Sequence, residues 1–349
     1  MYTRNIRNPR ASPIENGMPL TGTWKRAFSH VDLSDIRRPY SLPLPRWVRN
    51  IRVKEWESIS VQNENFYLVA ILGNFKLFQT IQIFLYDKEK EKSYHYKKFV
   101  LGNNWHLPKS LYNSAVECRS SKFFFRIHLW LIADTIKLDI DIKKTKHLPA
   151  LTVHLAFNMG SRDLTPMAVS LNFTKQRNMY AFKALSTVRG DIVLGEEHTN
   201  FKKSRCIGIF CDYKGFFPYR MKGVYCSGMG FDDKGKRFGF HIAENQANKS
   251  NNSNENALWL DGSLTPLPPV KITMPGGPSS DWVIQDTDGM VDLIFTPKII
   301  NWYDINFFIF GGDLFAPMGY YNGMLASSGT EQIQVRNLWG IGEKLYLRV

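Results

Sequence analysis

Apolar and polar residues alternate with a period of two along most of the chain. Thr135 to Ile142 reads TIKLDIDI, with Ile136, Leu138, Ile140 and Ile142 on one face and Lys137, Asp139 and Asp141 on the other. That pattern predicts a half-buried strand with one solvated face. Phe123–Ile132, Leu151–Phe157, Arg205–Asp212, Arg237–Ile242, Val291–Thr296, Tyr303–Phe310 and Glu331–Arg336 are also read as strands. No long stretch places apolar residues at helical spacing. Asp232-Asp233-Lys234-Gly235 lies between two such runs and reads as a hairpin loop. Phe66 to Tyr86 is mostly apolar and as long as a membrane span. Gly73-Asn74 splits it, however, and Lys76, Gln79 and Gln82 fall in its second half, so two strands around a tight turn fit better.

Roughly eighteen short strands fit two sandwiches or barrels better than one. The loop Asn158 to Pro166 offers a boundary, giving an expected first unit over residues 1–165 and a second over 166–349. Before Val53 the chain carries six prolines and reads as an irregular arm laid over the barrel surface. Asn245 to Asn256 reads as a polar loop.

The length, 349 residues, supports a real core without disulfide or metal staples. Aromatic residues reach 14%, which favours strands and an apolar pocket lined with rings. The net charge is +14, and Met1 to Lys54 holds eleven Lys/Arg against three Asp/Glu. A solvated surface is the ordinary reading of such an arm. Peripheral contact with an anionic membrane surface stays open, and nucleic acid has no supporting motif.

Cys118, Cys206, Cys211 and Cys226 form no C-x-x-C pair. With no secretory signal at the start, they read as reduced thiols of a cytoplasmic protein. Dinucleotide, P-loop and nucleophile-elbow motifs are missing, and no histidine pair has metal-ligand spacing. No cofactor and no metal are expected. Asp286-Thr287-Asp288-Gly289 is only part of a calcium loop and reads as a turn.

Two clusters carry candidate chemistry. In Asp212 to Arg220 (DYKGFFPYR) a carboxylate closes an apolar strand, and Pro218-Tyr219-Arg220 opens the next one. In Glu255 to Val270, Glu255 and Asn256 lead into a strand carrying Trp259, and Asp261-Gly262 then turns the chain. Turn chemistry or an ion pair, such as Asp212 with Arg220, is the plain structural reading. Alternatively, a carboxyl group desolvated by aromatic neighbours stays protonated near neutral pH and serves as a general acid.

The same clusters resemble domain of unknown function 2804, a bacterial family of lipocalin-like proteins. Its pattern is met by Asp212, Gly215, Pro218, Tyr219 and Arg220, then by Gly228, Gly239, Glu255, Asn256, Ala257, Trp259, Asp261, Gly262 and Leu264. The Arg189-Gly190 strand and Lys54-Glu55-Trp56 also look like family positions. More distantly, the chain is similar to carotenoid hydratases and tandem-lipocalin cyclases, whose Asp-His-Glu-Trp-Gly strand end falls on Asp212 and Gly215. Tyr213 and Lys214 replace its His and Glu.

The resemblance implies an all-β protein of two lipocalin-like antiparallel barrels or half-barrels. An apolar or amphiphilic small molecule, such as a lipid or isoprenoid, is expected at or near their interface. The alternative is an acid-catalysed hydro-lyase, cyclase or isomerase acting in the same pocket. Asp212 and Glu255 are the expected acids, sharing one rim with Arg220. Phe217, Tyr219 and Trp259 are expected to border one cavity of several hundred Å3, on the scale of small-ligand sites, with Arg220 and Asn256 as further ligand contacts.

Overall fold

The computed structural model describes residues 2–159, 165–201, 205–247, 254–307, 310–327 and 331–348. The segments at 160–164 and 248–253, on which the expected boundary loop and polar loop partly fall, lie outside the described residues. The protein is 4% helical and 60% strand, and its two antiparallel sheets curl into half-barrels. Thr135–Ile142 is a strand over the residues read from its alternation. Phe66–Asn74 and Phe78–Asp87 are the two strands expected from the long apolar run, paired antiparallel around a short turn. Arg220–Phe231 and Arg237–Asn245 form the hairpin closed by the Asp232 to Gly235 loop.

Among the described residues the first sheet has fourteen strands and the second eleven. Every strand up to Ile207–Gly215 belongs to the first, except the small hairpin of Ile14–Glu15 with Met18–Pro19. The second sheet begins at Arg220–Phe231 and ends at Gln332–Arg348. The sheets therefore change at residues 216–219, and 165/166 falls inside the first sheet. Local alternation marks strands but does not say which sheet they join. Ile207–Gly215 is the last strand of its sheet in sequence yet lies at the sheet's centre, between Lys54–Gln62 and Asn178–Leu194. All nine of its residues are buried, which requires both faces of the strand to be covered.

Three cores follow. One is built from the first sheet and the N-terminal arm, another mainly from the second sheet, and a third takes residues from both. The N-terminal arm does more than lie on the surface. Trp24, Phe28, Val31, Leu33 and Ile36 are buried in the first core. At about 1.5–3 kcal/mol for each large side chain buried, they make the arm part of the fold.

The sheets are pinned by side chains from both. Trp259 Nε1 donates to the Thr165 carbonyl at 2.9 Å, and Gln62 Nε2 donates to the Met229 carbonyl. Gly239, one of the family-pattern glycines, faces Leu185 of the first sheet. A Cβ there would sit 2.7 Å from the leucine methyl, so a larger residue would have to push Leu185 aside.

Candidate functional site: a buried ion network and an aromatic pocket between the sheets

Alternation along Ile207–Gly215 sends successive side chains to opposite faces. Ile209, Cys211 and Tyr213 enter the core between the sheets. Phe210 and Phe216 enter the first core, and Asp212 and Lys214 share their phase. This parity divides the polar residues of the region into two groups.

On the inter-sheet face Glu255 is fully buried. Its Oε2 accepts from Lys183 Nζ, also fully buried, and from the Tyr213 hydroxyl at 2.6 Å. Asn245 Nδ2 donates to Oε1 at 2.6 Å. His241 Nε2 lies 3.5 Å from Oε2 and 3.2 Å from the Tyr213 hydroxyl. Burial opposes the charge on Glu255, but Lys183 and the His241 contact outweigh it and hold the carboxyl well below the usual range. Burial, reinforced by Lys183, pushes His241 down to about 4, so its ring is neutral. Lys183 Nζ also sits 4.6 Å above the Tyr213 ring. Asn256 fixes the backbone beside Glu255. Its Oδ1 accepts from Ala243 N at 2.8 Å and its Nδ2 donates to the Pro268 carbonyl at 2.8 Å. Arg4 of the arm reaches the same segment through the carbonyls of Asn254 and Asn256.

On the opposite face Asp212 and Glu57 are cross-strand partners, both fully buried. No hydrogen bond reaches either carboxyl from the described residues. Burial pushes Asp212 up to about 6, against the pull of Lys214, whose Nζ is 3.5 Å away. Burial and the proximity of Asp212 push Glu57 up to about 8. Lys214 also faces Glu55 at 3.8 Å and donates to the Pro108 carbonyl.

A cavity of about 160 Å3 opens between the sheets beside the first network. Trp56, Phe75, Phe78, Tyr213, Tyr225 and Tyr303 give it aromatic walls; Ser58, Ser60, Ser227 and His241 add polar atoms. Glu343 lines it too. It is the cross-strand partner of Tyr225, half-buried on the wall, and burial pushes it up to about 7. Among the described residues it has no hydrogen-bond or ion-pair partner.

The expected site is thus divided. Asp212 and Glu255 lie on opposite faces of the first sheet and do not share a rim. Arg220 is exposed on the second sheet, so the cation beside Asp212 is Lys214. Phe217 is buried in the inter-sheet core and stacks on Trp56 at 4.9 Å. It can fold back there because Gly215 has no Cβ, which would lie 2.7 Å from its ring. Trp259 is buried in that same core, and Tyr219 is 44% exposed. None of these three lines the cavity, which is smaller than expected. Aromatic density near a strand end marks a core as readily as a pocket. The residues missed, Lys183 and Glu343, are charged groups in phase with apolar neighbours. Ala181, Lys183 and Leu185 share one face, and Ile341, Glu343, Leu345 and Leu347 another.

The fold and site together define a tandem half-barrel protein with an ion network and an aromatic pocket between its sheets. The chain belongs to the DUF2804 family, a domain of unknown function, whose model matches residues 5–348. No curated protein matches the sequence. Among solved structures it is similar to CghA, including CghA with Sch210972, at a TM-score of 0.54 and 9% identity, covering 85% of this chain and 88% of that one. Kievitone hydratase from Nectria haematococca is similar at a TM-score of 0.50 and 9% identity, over 84% and 88% of the two chains. These likenesses show a shared fold.

Proposed function

We propose that the protein binds an apolar or amphiphilic small molecule in the pocket between its half-barrels. The observation that carries this reading is the lining: six aromatic rings around a space that also presents hydroxyls, a neutral imidazole and a carboxyl. Rings hold an apolar body, and the few polar atoms orient a hydroxyl or carbonyl on it. Native mass spectrometry of the purified protein, followed by solvent extraction, is expected to reveal a one-to-one apolar adduct. Ile341→Trp, which fills the pocket, should lose it. An empty wild-type protein with no thermal shift from fatty acids, isoprenoid alcohols or polyphenols would refute the reading.

Glu343 favours a second reading, an acid-catalysed hydro-lyase, cyclase or isomerase. A carboxyl group pushed up to about 7 with no partner among the described residues is suited to give up a proton and take it back. In a hydration, its proton would add to one alkene carbon. Water would add to the other, and its surplus proton would return to the carboxylate. The π-faces of Trp56 and Tyr225 would stabilise the cation between those steps. Glu255 is less suited as the acid because Lys183 keeps it ionised; its role here is to orient Tyr213 and His241. Kievitone hydratase is by name a hydratase, and the shared fold makes that chemistry one to test first. Glu343→Gln should retain the adduct unconverted. Conversion at the wild-type rate would remove Glu343 from the chemistry.

A further inference from the structure

The helix Arg46–Arg52 buries none of its residues. Trp47 is 68% exposed and Ile51, one turn on, is 39% exposed. A soluble helix normally hides its apolar stripe. Its C-terminal end is tied to the turn between Phe66–Asn74 and Phe78–Asp87: Lys54 Nζ donates to the carbonyls of both Ile51 and Phe75 at 2.9 Å. That turn presents Leu77, 45% exposed. Beside it the neighbouring strand adds Phe99 and Leu101, exposed 42% and 73%. Phe99 stacks on Phe78 at 5.6 Å, and Leu101 pairs with Phe78. Five large apolar side chains therefore project around one corner of the first sheet.

The exposed charge around this corner is mostly positive, and Glu55, the acid next to it, is buried and paired with Lys76 of the turn. Ile36 to Lys54 contains Arg37, Arg38, Arg46, Arg49 and Arg52 and no acidic residue, and Lys92 to Leu101 contains three lysines and no acidic residue. Arg46 is partly neutralised by Asp32 and Asp35. Arg49 donates to the Ile36 carbonyl and Arg52 to the Tyr40 hydroxyl. A tryptophan and aliphatic tips ringed by arginines match the interface of an anionic bilayer. There rings sit at headgroup level and each nearby cation gains from the surface potential.

We propose that this corner docks on anionic lipid surfaces. Phe75 and Phe78, at its base, are also walls of the inter-sheet pocket. Docking there brings the half-buried end of the pocket, with Trp56, Ile71, Phe75 and Phe78, against the membrane, where an amphiphilic ligand is concentrated. Docking itself rests on the exposed corner and not on the pocket's contents.

Sedimentation of the full chain with phosphatidylcholine vesicles, with and without phosphatidylserine, tests this. Binding is expected only with phosphatidylserine and should weaken as salt rises. Trp47→Ala combined with Leu77→Ser should weaken it about tenfold, with an unchanged melting temperature because both side chains are exposed. Trp47→Phe should bind nearly as wild type, and lipids brominated near the headgroup should quench its fluorescence less than that of the wild type. Equal binding to neutral and anionic vesicles would overturn the proposal, as would an undiminished double variant. Binding of single-stranded nucleic acid in place of vesicles would assign the basic corner elsewhere and overturn it too.

Discussion

Two groups of buried ions lie back to back on the strand Ile207–Gly215, and they resolve the same problem in opposite ways. Tyr213 faces Glu255, Lys183, Asn245 and His241, a group in which the carboxylate is met by a cation and three further polar contacts. Asp212, one residue earlier, faces Glu57 with a single lysine nearby and no hydrogen bond to either acid from the described residues. Glu255, Asp212 and Glu57 are all fully buried. Glu255 is held ionised, whereas Asp212 and Glu57 are pushed up to about 6 and 8. Desolvation acts on every one of these carboxyls, so the difference comes from partners. A charge in this interior persists only where its acceptor capacity is filled. Where it is not, the carboxyl holds its proton to a higher pH.

Removing Lys183 should have the largest effect. Lys183→Met leaves Glu255 an anion without its cation, and breaking a buried pair in this way costs about 3–5 kcal/mol. Lys183→Met combined with Glu255→Gln removes both charges and should recover much of that loss. Urea unfolding of the wild type, the two single variants and the double variant completes the cycle. A loss below about 1 kcal/mol for Lys183→Met would mean that water reaches Glu255, and the contrast between the two faces would fail.

The unpartnered face should show itself in pH dependence. Asp212 and Glu57 have folded-state values above those of unfolded carboxyls, so the native state holds protons that the unfolded chain has already released. Their contribution to stability is complete below the unfolded values and is lost as pH rises through about 6 and then 8. For each full proton held in excess, stability falls by about 1.4 kcal/mol per pH unit. Buried Lys54, pushed down to about 7, acts in the opposite direction, so the useful quantity is the difference between wild type and Glu57→Gln. The variant keeps the shape and stays neutral. Its stability relative to wild type should improve from pH 5 and level off above about pH 8. A difference independent of pH would mean that Glu57 is ionised throughout.

Much of this architecture is legible in the sequence because a period of two is a local property. Thr135–Ile142 and the hairpin around Asp232 to Gly235 could be placed without knowing any long-range partner. Sheet membership could not. Ile207–Gly215 pairs with strands some thirty and some one hundred and fifty positions earlier, and no local pattern specifies that. The candidate site shows the same division. Asp212 and Glu255 stand out as carboxyls among aromatic residues, but neighbours in sequence on a strand are opposed in space, so Tyr213 and not Asp212 reaches Glu255. Parity would have helped more than motif content. Glu57 is in phase with Ile59 and Val61, and Lys183 with Ala181 and Leu185. A charge in register with an apolar face is the sequence trace of a buried ion.

The smallest expected effect concerns the cation beside Asp212. An arginine eight residues on, across a turn, looks suited to that acid, but the turn carries the chain into the other sheet. Arg220 pairs there with Arg348 across the strands and remains exposed. Arg220→Ala should therefore cost under about 0.5 kcal/mol, as is usual for surface positions, and should leave the titration of Asp212 unmoved. Lys214→Met should instead raise that titration further. Lys214 is buried, 3.5 Å from the carboxylate, and its removal takes away the main charge opposing desolvation. Carbon-13 NMR of labelled aspartate carboxyls follows both variants directly. A shift in the Asp212 midpoint on Arg220→Ala would place the arginine within the direct charge coupling of that group. It would also join the two faces of the strand that the structure separates.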